Sequence, residues 1–291
     1  MFKGSIVALV TPFKNGKVNE VKLKELVEFH IKNKTSGIVP CGTTGESPTL
    51  SHEEHKKVIE IVVKAANRRI PVIAGTGSNS TEEAIELTKF AKDVGADAAL
   101  LVSPYYNKPT QKGLYLHFKK IAESVNIPMI LYNIPGRCGV NIEPETIAKL
   151  SQIKNIIGVK EASGNLDQVS KIISLCKDNF DVLSGDDSLT LSMMAVGAKG
   201  VISVIANIVP QETAMLVDSF LKGDIKKAKE IHYKLLPLMK IMFVETNPIP
   251  IKTAMNLAGF DVGELRLPLC DMEENNLKKL KEVLSNFDLM K

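Results

Sequence analysis

Long apolar runs are missing from this chain. The opening stretch "MFKGSIVALVTPF" holds five consecutive apolar residues, Ile6 to Val10, before Thr11 and Pro12 interrupt it. A signal peptide needs a longer apolar region, and a membrane helix needs roughly 20 such residues. Neither is expected, no membrane partner is implied, and the cytoplasm is the expected compartment. Paired cysteines are missing too. Cys41, Cys138, Cys176 and Cys270 are far apart and form no CxxC, which argues for reduced thiols over a disulfide framework or a zinc site. The formal charge is only +4, with lysine and glutamate interspersed and no basic block. Such a balance describes a solvated surface, so no nucleic-acid partner is expected. Arginine is scarce: four residues (Arg68, Arg69, Arg137, Arg266) stand against 33 lysines.

What the chain does have is a repeated beat. Short β-branched runs recur as "SIVALV" (from Ser5), "GIVPCG" (Gly37), "PVIAGTG" (Pro71) and "AALLVSP" (Ala98). They continue as "PMILYNIP" (Pro128), "IIGVKEAS" (Ile156), "DVLSGDD" (Asp181) and "GVISVIA" (Gly200). Each ends in or near Gly, Pro, Ser or Thr, the mark of a buried strand. Helical patterns lie between them, and Ser51 to Glu54 and Ser80 to Glu83 both read as S-x-x-E capping boxes. Eight strands alternating with helices predict an α/β fold, a (β/α)8 TIM barrel. An open doubly wound sheet is the alternative, but "VTPFKNG" after the first strand is no dinucleotide turn. Past Ala206 the strands stop, and 211–221, 224–242, 248–258 and 273–286 read as helices. The expected division is a barrel over 1–224 and a C-terminal helical extension over 225–291.

Barrels of this kind place their chemistry at the C-terminal ends of the strands. Those ends carry Thr11, "GTTGES" (Gly42 to Ser47), "GTGSN" (Gly75 to Asn79), "PYYNKP" (Pro104 to Pro109), "YNIPGR" (Tyr132 to Arg137), Lys160, "SGDD" (Ser184 to Asp187) and Ser203. Lys160 is the unusual member, a lysine inside "IIGVKEASG". By alternation it shares a strand face with Gly158 and Ile156. Desolvation favours the neutral amine, which can attack a carbonyl to form a Schiff base. The alternative is a strand-end lysine paired with Glu161 or Asp186. His30, His52, His55, His117 and His232 all fall in helical patterns and no HExxH exists, so no metal is expected. "GTTGES" lacks P-loop spacing, though two threonines and backbone N–H groups can hold a small carboxylate. Where lysine is the default cation, Arg137 fits a need for a planar fork on a carboxylate. The phenols of Tyr132 and Tyr106 can relay protons.

Taken in register, "GTTGES", "YYNKPTQ", "YNIPGR", "GVKEASG", "SGDD", "GVISV" and "NPIPIK" resemble the dihydrodipicolinate synthase family of pyruvate-dependent class I aldolases, over essentially the whole chain. The resemblance implies condensation of pyruvate with (S)-aspartate 4-semialdehyde through a lysine Schiff base. The product is 4-hydroxy-tetrahydrodipicolinate, which feeds diaminopimelate and lysine biosynthesis. It further implies Lys160 as nucleophile, Tyr132 as acid–base residue, Thr43 as relay and Tyr106 as a tyrosine reaching a neighbouring subunit of a homotetramer. Thr44 falls in the pyruvate-carboxylate region, Arg137 matches the clamp for the second carboxylate, and Gly185 and Ile202 match the pocket wall. No cofactor is implied. Ser47, His55, Asn79, Glu83 and Tyr105 match a lysine feedback site, with Pro48 and Cys138 as departures from the family pattern. A sister aldolase such as N-acetylneuraminate lyase or a 2-keto-3-deoxy sugar acid aldolase shares the lysine and tyrosine; Arg137 separates the branches. A non-catalytic small-molecule-binding barrel is the remaining alternative.

Overall fold

The computed structural model describes residues 2–176 and 179–290. The eight apolar runs form eight strands: β1 Gly4–Ala8, β2 Gly37–Val39, β3 Ile73–Gly75, β4 Ala98–Val102, β5 Met129–Asn133, β6 Ile156–Glu161, β7 Asp181–Ser184 and β8 Gly200–Ser203. Every pairing between them is parallel, in the order β2-β1-β8-β7-β6-β5-β4-β3. The ring closes where β2 and β3 meet, through an Ile38–Val72 bridge and a bond from Gly75 N to Pro40 O of 3.0 Å. The expected barrel is present.

Strand alternation sorts the core into two. Ile6, Ala8, Val39, Ile73, Ala98, Leu100, Ile130, Tyr132, Leu183 and Ile202 fill the barrel interior. Val7, Ile38, Leu101, Leu131, Val159 and Val182 face outward into a larger cluster under the helices. Burial of each such aliphatic side chain is worth about 1.5–3 kcal/mol, so both faces hold the barrel. One expectation fails in detail. Ile156 belongs to the outer cluster, while Ile157 packs on the inner one. The register slips between Met129 and Ile130, pairing Met129 with Ile156 and Ile130 with Gly158. One extra residue reverses the facing of everything before it. Lys160 keeps its inward face and Ile156 loses it.

The outer helices are α1 Glu20–Lys32, α2 His52–Ala66, α3 Thr81–Asp93, α4 Gln111–Ser124, α5 Pro144–Leu150, α6 Leu166–Leu175, α7 Thr190–Ala195 and α8 Pro210–Leu221. Ser51 starts α2 with a complete capping box. Ser80 caps α3, but Glu83 does not return the bond; its carboxylate turns to Ser78 instead, at 2.6 Å. After α8 come α9 Ile225–Ile241, α10 Ile249–Leu257 and α11 Glu274–Ser285, close to the expected helical spans. The expected division at 224/225 falls in the short link between α8 and α9. Among the described residues no helix is long and apolar enough to cross a membrane.

The segment from α10 to α11 folds back over the barrel mouth. Phe13 N bonds Val262 O at 3.0 Å, and Arg266 N bonds Glu46 Oε2 at 3.1 Å. Arg266 also grips Glu54 with both Nη atoms, at 2.7 and 2.6 Å, and lies over the Phe13 ring. These contacts tie the first two strand ends to the last quarter of the chain.

Candidate active site

Tyr132 on β5 and Lys160 on β6 are register partners, so their side chains enter the barrel side by side. Both are buried, and Lys160 Nζ lies 4.2 Å from the centre of the Tyr132 ring. The proposed pairing of this lysine with an acid does not occur. No salt bridge joins Lys160 to a carboxylate among the described residues. Glu161 faces the other way, toward α6, and Asp186 caps Ser188. An amine packed on a phenol ring, with no anionic partner among the described residues, can act as a nucleophile toward a carbonyl.

Gly185 explains how the lysine fits. A Cβ there would stand 2.6 Å from Ala162 Cβ and 3.1 Å from Lys160 Cε. The absence of a side chain is what leaves room for the lysine stem. Ile202 lies fully inside the same inner cluster as Tyr132.

A cavity of about 350 Å³ reaches Tyr132, and Thr43, Arg137 and Cys138 line it as well, while Lys160, Gly185 and Ile202 lie behind its lining. Arg137 sits in the single helical turn Pro135–Cys138 directly after β5. It donates from Nη2 to Asn247 O at 2.9 Å and has no carboxylate partner among the described residues. Arg69 and Arg266 are already forked on Glu28 and Glu54. Arg137 is therefore free to grip an incoming anion. Burial pushes the Cys138 thiol up to about 11, so this departure from the family pattern adds a neutral, buried group.

Thr44 is placed differently from Thr43. It is buried, and its Oγ1 accepts from Asn247 Nδ2 at 3.1 Å. Asn247, which precedes α10, thus touches both Thr44 and Arg137. Sequence reading missed it, although "NPIPIK" contains it; the contacts span 203 and 110 residues and no local pattern announces them. Tyr106 is not brought to the cavity of its own chain. Its side chain is 90% exposed, on a loop where both Tyr106 and Lys108 have positive φ.

Four of the five residues matched to a feedback site line the same cavity: Ser47, His55, Glu83 and Tyr105. Asn79 does not line it. It donates from Nδ2 to Tyr105 O at 3.2 Å and accepts on its backbone oxygen from Asn107 Nδ2 at 2.9 Å, bracing the loop that carries Tyr105. His55 donates from Nε2 to Gly75 O at 2.7 Å, and burial lowers its pKa. His52 Nε2 lies 3.6 Å from Glu83 Oε1. No cluster of three His, Cys, Asp or Glu side chains among the described residues is arranged to hold a metal.

Known proteins resemble this chain in sequence and fold over nearly its whole length. The profile of the dihydrodipicolinate synthetase family matches residues 1–287. The 4-hydroxy-tetrahydrodipicolinate synthase of Geotalea uraniireducens (strain Rf4) is 60% identical over 290 residues, covering 100% of both chains. A crystal structure of dihydrodipicolinate synthase from Aquifex aeolicus is 56% identical with a TM-score of 0.98, covering 99% of each chain. The enzyme from Cyanidioschyzon merolae, solved with lysine bound, is 41% identical with a TM-score of 0.97 over 99% of each chain. A monomeric dihydrodipicolinate synthase variant is 43% identical with a TM-score of 0.97, covering 99% of this chain and 98% of its own.

Proposed function

The chain belongs to the dihydrodipicolinate synthetase family, and on that premise we propose how its own residues carry out the synthase reaction. The reaction is condensation of pyruvate with (S)-aspartate 4-semialdehyde to give 4-hydroxy-tetrahydrodipicolinate. Lys160 Nζ attacks C2 of pyruvate and water leaves, forming an imine. Loss of a proton from C3 gives the enamine, whose carbon adds to the semialdehyde carbonyl. The amine of the semialdehyde then attacks the imine carbon, closing the ring and releasing Lys160. Tyr132 takes and returns protons beside the amine, with Thr43 as its relay at the cavity wall.

The observation that carries this reading is the approach of Lys160 Nζ to the Tyr132 ring, 4.2 Å, inside a barrel where no carboxylate among the described residues pairs the amine. Thr44 belongs to the site of the pyruvate carboxylate, held in place by Asn247. Arg137 grips the semialdehyde carboxylate, a role its lack of an acidic partner supports. Gly185 and Ile202 shape the wall.

The test is turnover of pyruvate with the semialdehyde, coupled to the downstream reductase and NADPH oxidation, with N-acetylmannosamine and glyceraldehyde run alongside. Turnover with the semialdehyde alone, lost in Lys160→Ala, is expected. Turnover only with a sugar aldehyde would move the chain to a sister branch and remove the role of Arg137. Binding of pyruvate without a borohydride-trapped adduct would mean a non-catalytic barrel.

Two further parts of the reading concern regulation and assembly. Lysine acts as feedback inhibitor at Ser47, His55, Glu83 and Tyr105, with Asn79 as brace. The turn of the Glu83 carboxylate away from its capping box supports this, because it leaves an acid at the cavity for an ammonium group. A flat activity curve across millimolar lysine would remove it. Tyr106 serves a neighbouring copy in a homotetramer, as its exposure on a strained loop supports. Sedimentation should then give four chains, and Tyr106→Phe should lose activity without loss of assembly.

A further inference from the structure

Behind the Tyr132–Lys160 pair lies a second pair that the reaction does not touch. Asn133 and Glu161 are the next register partners on β5 and β6, and alternation points them out of the barrel. Both are fully buried. Glu161 is an acid with no salt bridge among the described residues, held only by N–H donors. Oε2 accepts from Asn133 Nδ2 at 3.0 Å and Gln168 Nε2 at 3.1 Å; Oε1 accepts from Ser163 N at 2.7 Å. Asn133 also reaches Asn141 Oδ1 at 2.8 Å, and its own Oδ1 accepts from Ile142 N at 2.9 Å. Asn141 in turn donates to Gln168 Oε1 at 2.8 Å.

A buried carboxylate is costly unless its acceptors are satisfied, and such a network tolerates few geometries. Here the satisfied geometry exists only when β5 and β6 stand in the observed register. β6 needs such a device, because its pairing with β5 slips by one residue at the other end. A second slip would turn Lys160 out of the barrel, and it would also strand the Glu161 carboxylate away from its donors.

We propose that Glu161 is a positioning residue for Lys160: with Asn133 it clamps the β5–β6 register and so holds the amine against the Tyr132 phenol. The proposal rests on Lys160 being the nucleophile. The clamp acts through the cross-strand bond to Asn133. The bond to Gln168 anchors α6 and leaves the register alone. Glu161→Gln replaces one acceptor oxygen by an amide N–H2 that faces Ser163 N–H or the Asn133 and Gln168 N–H2 groups as they are oriented, which weakens the clamp with little change of shape.

The experiment measures the rate of pyruvate-adduct formation by borohydride trapping, with mass spectrometry locating the adduct, per folded active site. Wild type, Glu161→Gln, Asn133→Ala and Gln168→Met are compared, with full kinetics and melting temperatures. Glu161→Gln and Asn133→Ala should slow trapping and kcat by roughly tenfold to a hundredfold, the scale of a misplaced reacting group. KM for the semialdehyde should hold in Glu161→Gln, because Arg137, in the turn after β5, keeps its own bond to Asn247 O. Gln168→Met should melt earlier yet trap within about twofold of wild type. If Glu161→Gln does not fold, Asn133→Ala against Gln168→Met still decides. Equal slowing in those two, or normal trapping in every variant despite lower melting temperatures, overturns the clamp. A wild-type adduct on a residue other than Lys160 overturns the nucleophile assignment itself, and is distinguished by the peptide that carries it.

Discussion

Lys252 Nζ donates to Glu46 Oε1 across 2.7 Å, with side chains 1% and 0% exposed, although one residue lies in α10 and the other follows β2. Glu46 sits next to the threonine loop in a left-handed conformation, and Lys252 also bonds Glu264 O at 2.6 Å over the Phe13 ring. Burial pulls the Lys252 pKa down while Glu46 pushes it back up. Removing one partner strands a buried charge. Lys252→Met should destabilise the fold by about 3–5 kcal/mol, and Lys252→Met with Glu46→Gln should recover part of that. Urea unfolding of the single and double variants measures both.

Gly185 gives a sharper kinetic prediction. An alanine there meets Ala162 Cβ and the Lys160 stem together. Overpacking costs about 1–3 kcal/mol; the lysine stem can swing aside, whereas Ala162 Cβ can move only with the end of β6, which carries Lys160. Gly185→Ala should therefore slow adduct formation at least tenfold while the protein stays folded. Stopped trapping at fixed times, beside a melting curve, checks it.

Stability should fall in weak acid. Burial pushes the His30 imidazole down to about 3 and His117 to about 4. Both are neutral in the fold, so below pH 6.5 the unfolded chain takes up protons first. Their contribution is complete above pH 6.5 and is lost as pH falls from 6.5 toward 3–4, by about 1.4 kcal/mol per pH unit for each group. Asp187, whose carboxyl burial pushes up, slopes the opposite way where it titrates. Unfolding free energy of wild type against His30→Gln between pH 6.5 and 4.5 isolates the histidine. The wild type should lose about 2–3 kcal/mol more over that interval.

The four thiols should differ in reactivity. Cys270 is exposed, while Cys41 and Cys138 are buried with thiols raised by burial. Iodoacetamide at pH 8 should label Cys270 rapidly and the two buried cysteines only after denaturation. Peptide mapping before and after urea reads this directly.

What the sequence could disclose was local. The eight strands were visible because β-branched runs ending in glycine or proline are a short-range pattern, and the helices because their caps are. Lys160 stood out as one charge in an apolar strand, but which face it takes is shown only by its pairing with Tyr132. Ile156 was misplaced because a one-residue slip leaves no mark in composition. Glu83 read as a capping residue because S-x-x-E spacing is necessary for a box and does not guarantee one. Asn247, Lys252 and Arg266 stayed hidden for a different reason. Their partners Thr44, Glu46 and Glu54 lie more than two hundred residues away, and nothing in either segment names the other. Scarcity of arginine directed attention to a fork at Arg137, while the forks formed within the protein belong to Arg69 on Glu28 and Arg266 on Glu54.

The fold-back of residues 247–266 over the mouth has a consequence for the order in which the protein comes into being. Synthesis runs from the N-terminus, so all eight strands have been made once Ser203 is added. At that moment Thr44 and Arg137 have no asparagine to hold them, Glu46 is an acid without its lysine, and the backbone of Phe13 lacks Gly263. That glycine packs so closely that a Cβ would stand 1.8 Å from Phe13 O. A growing chain therefore holds all eight strands and Lys160 before it holds Asn247, Lys252 and Gly263. The contacts across the strand ends can form only after its last quarter has been made.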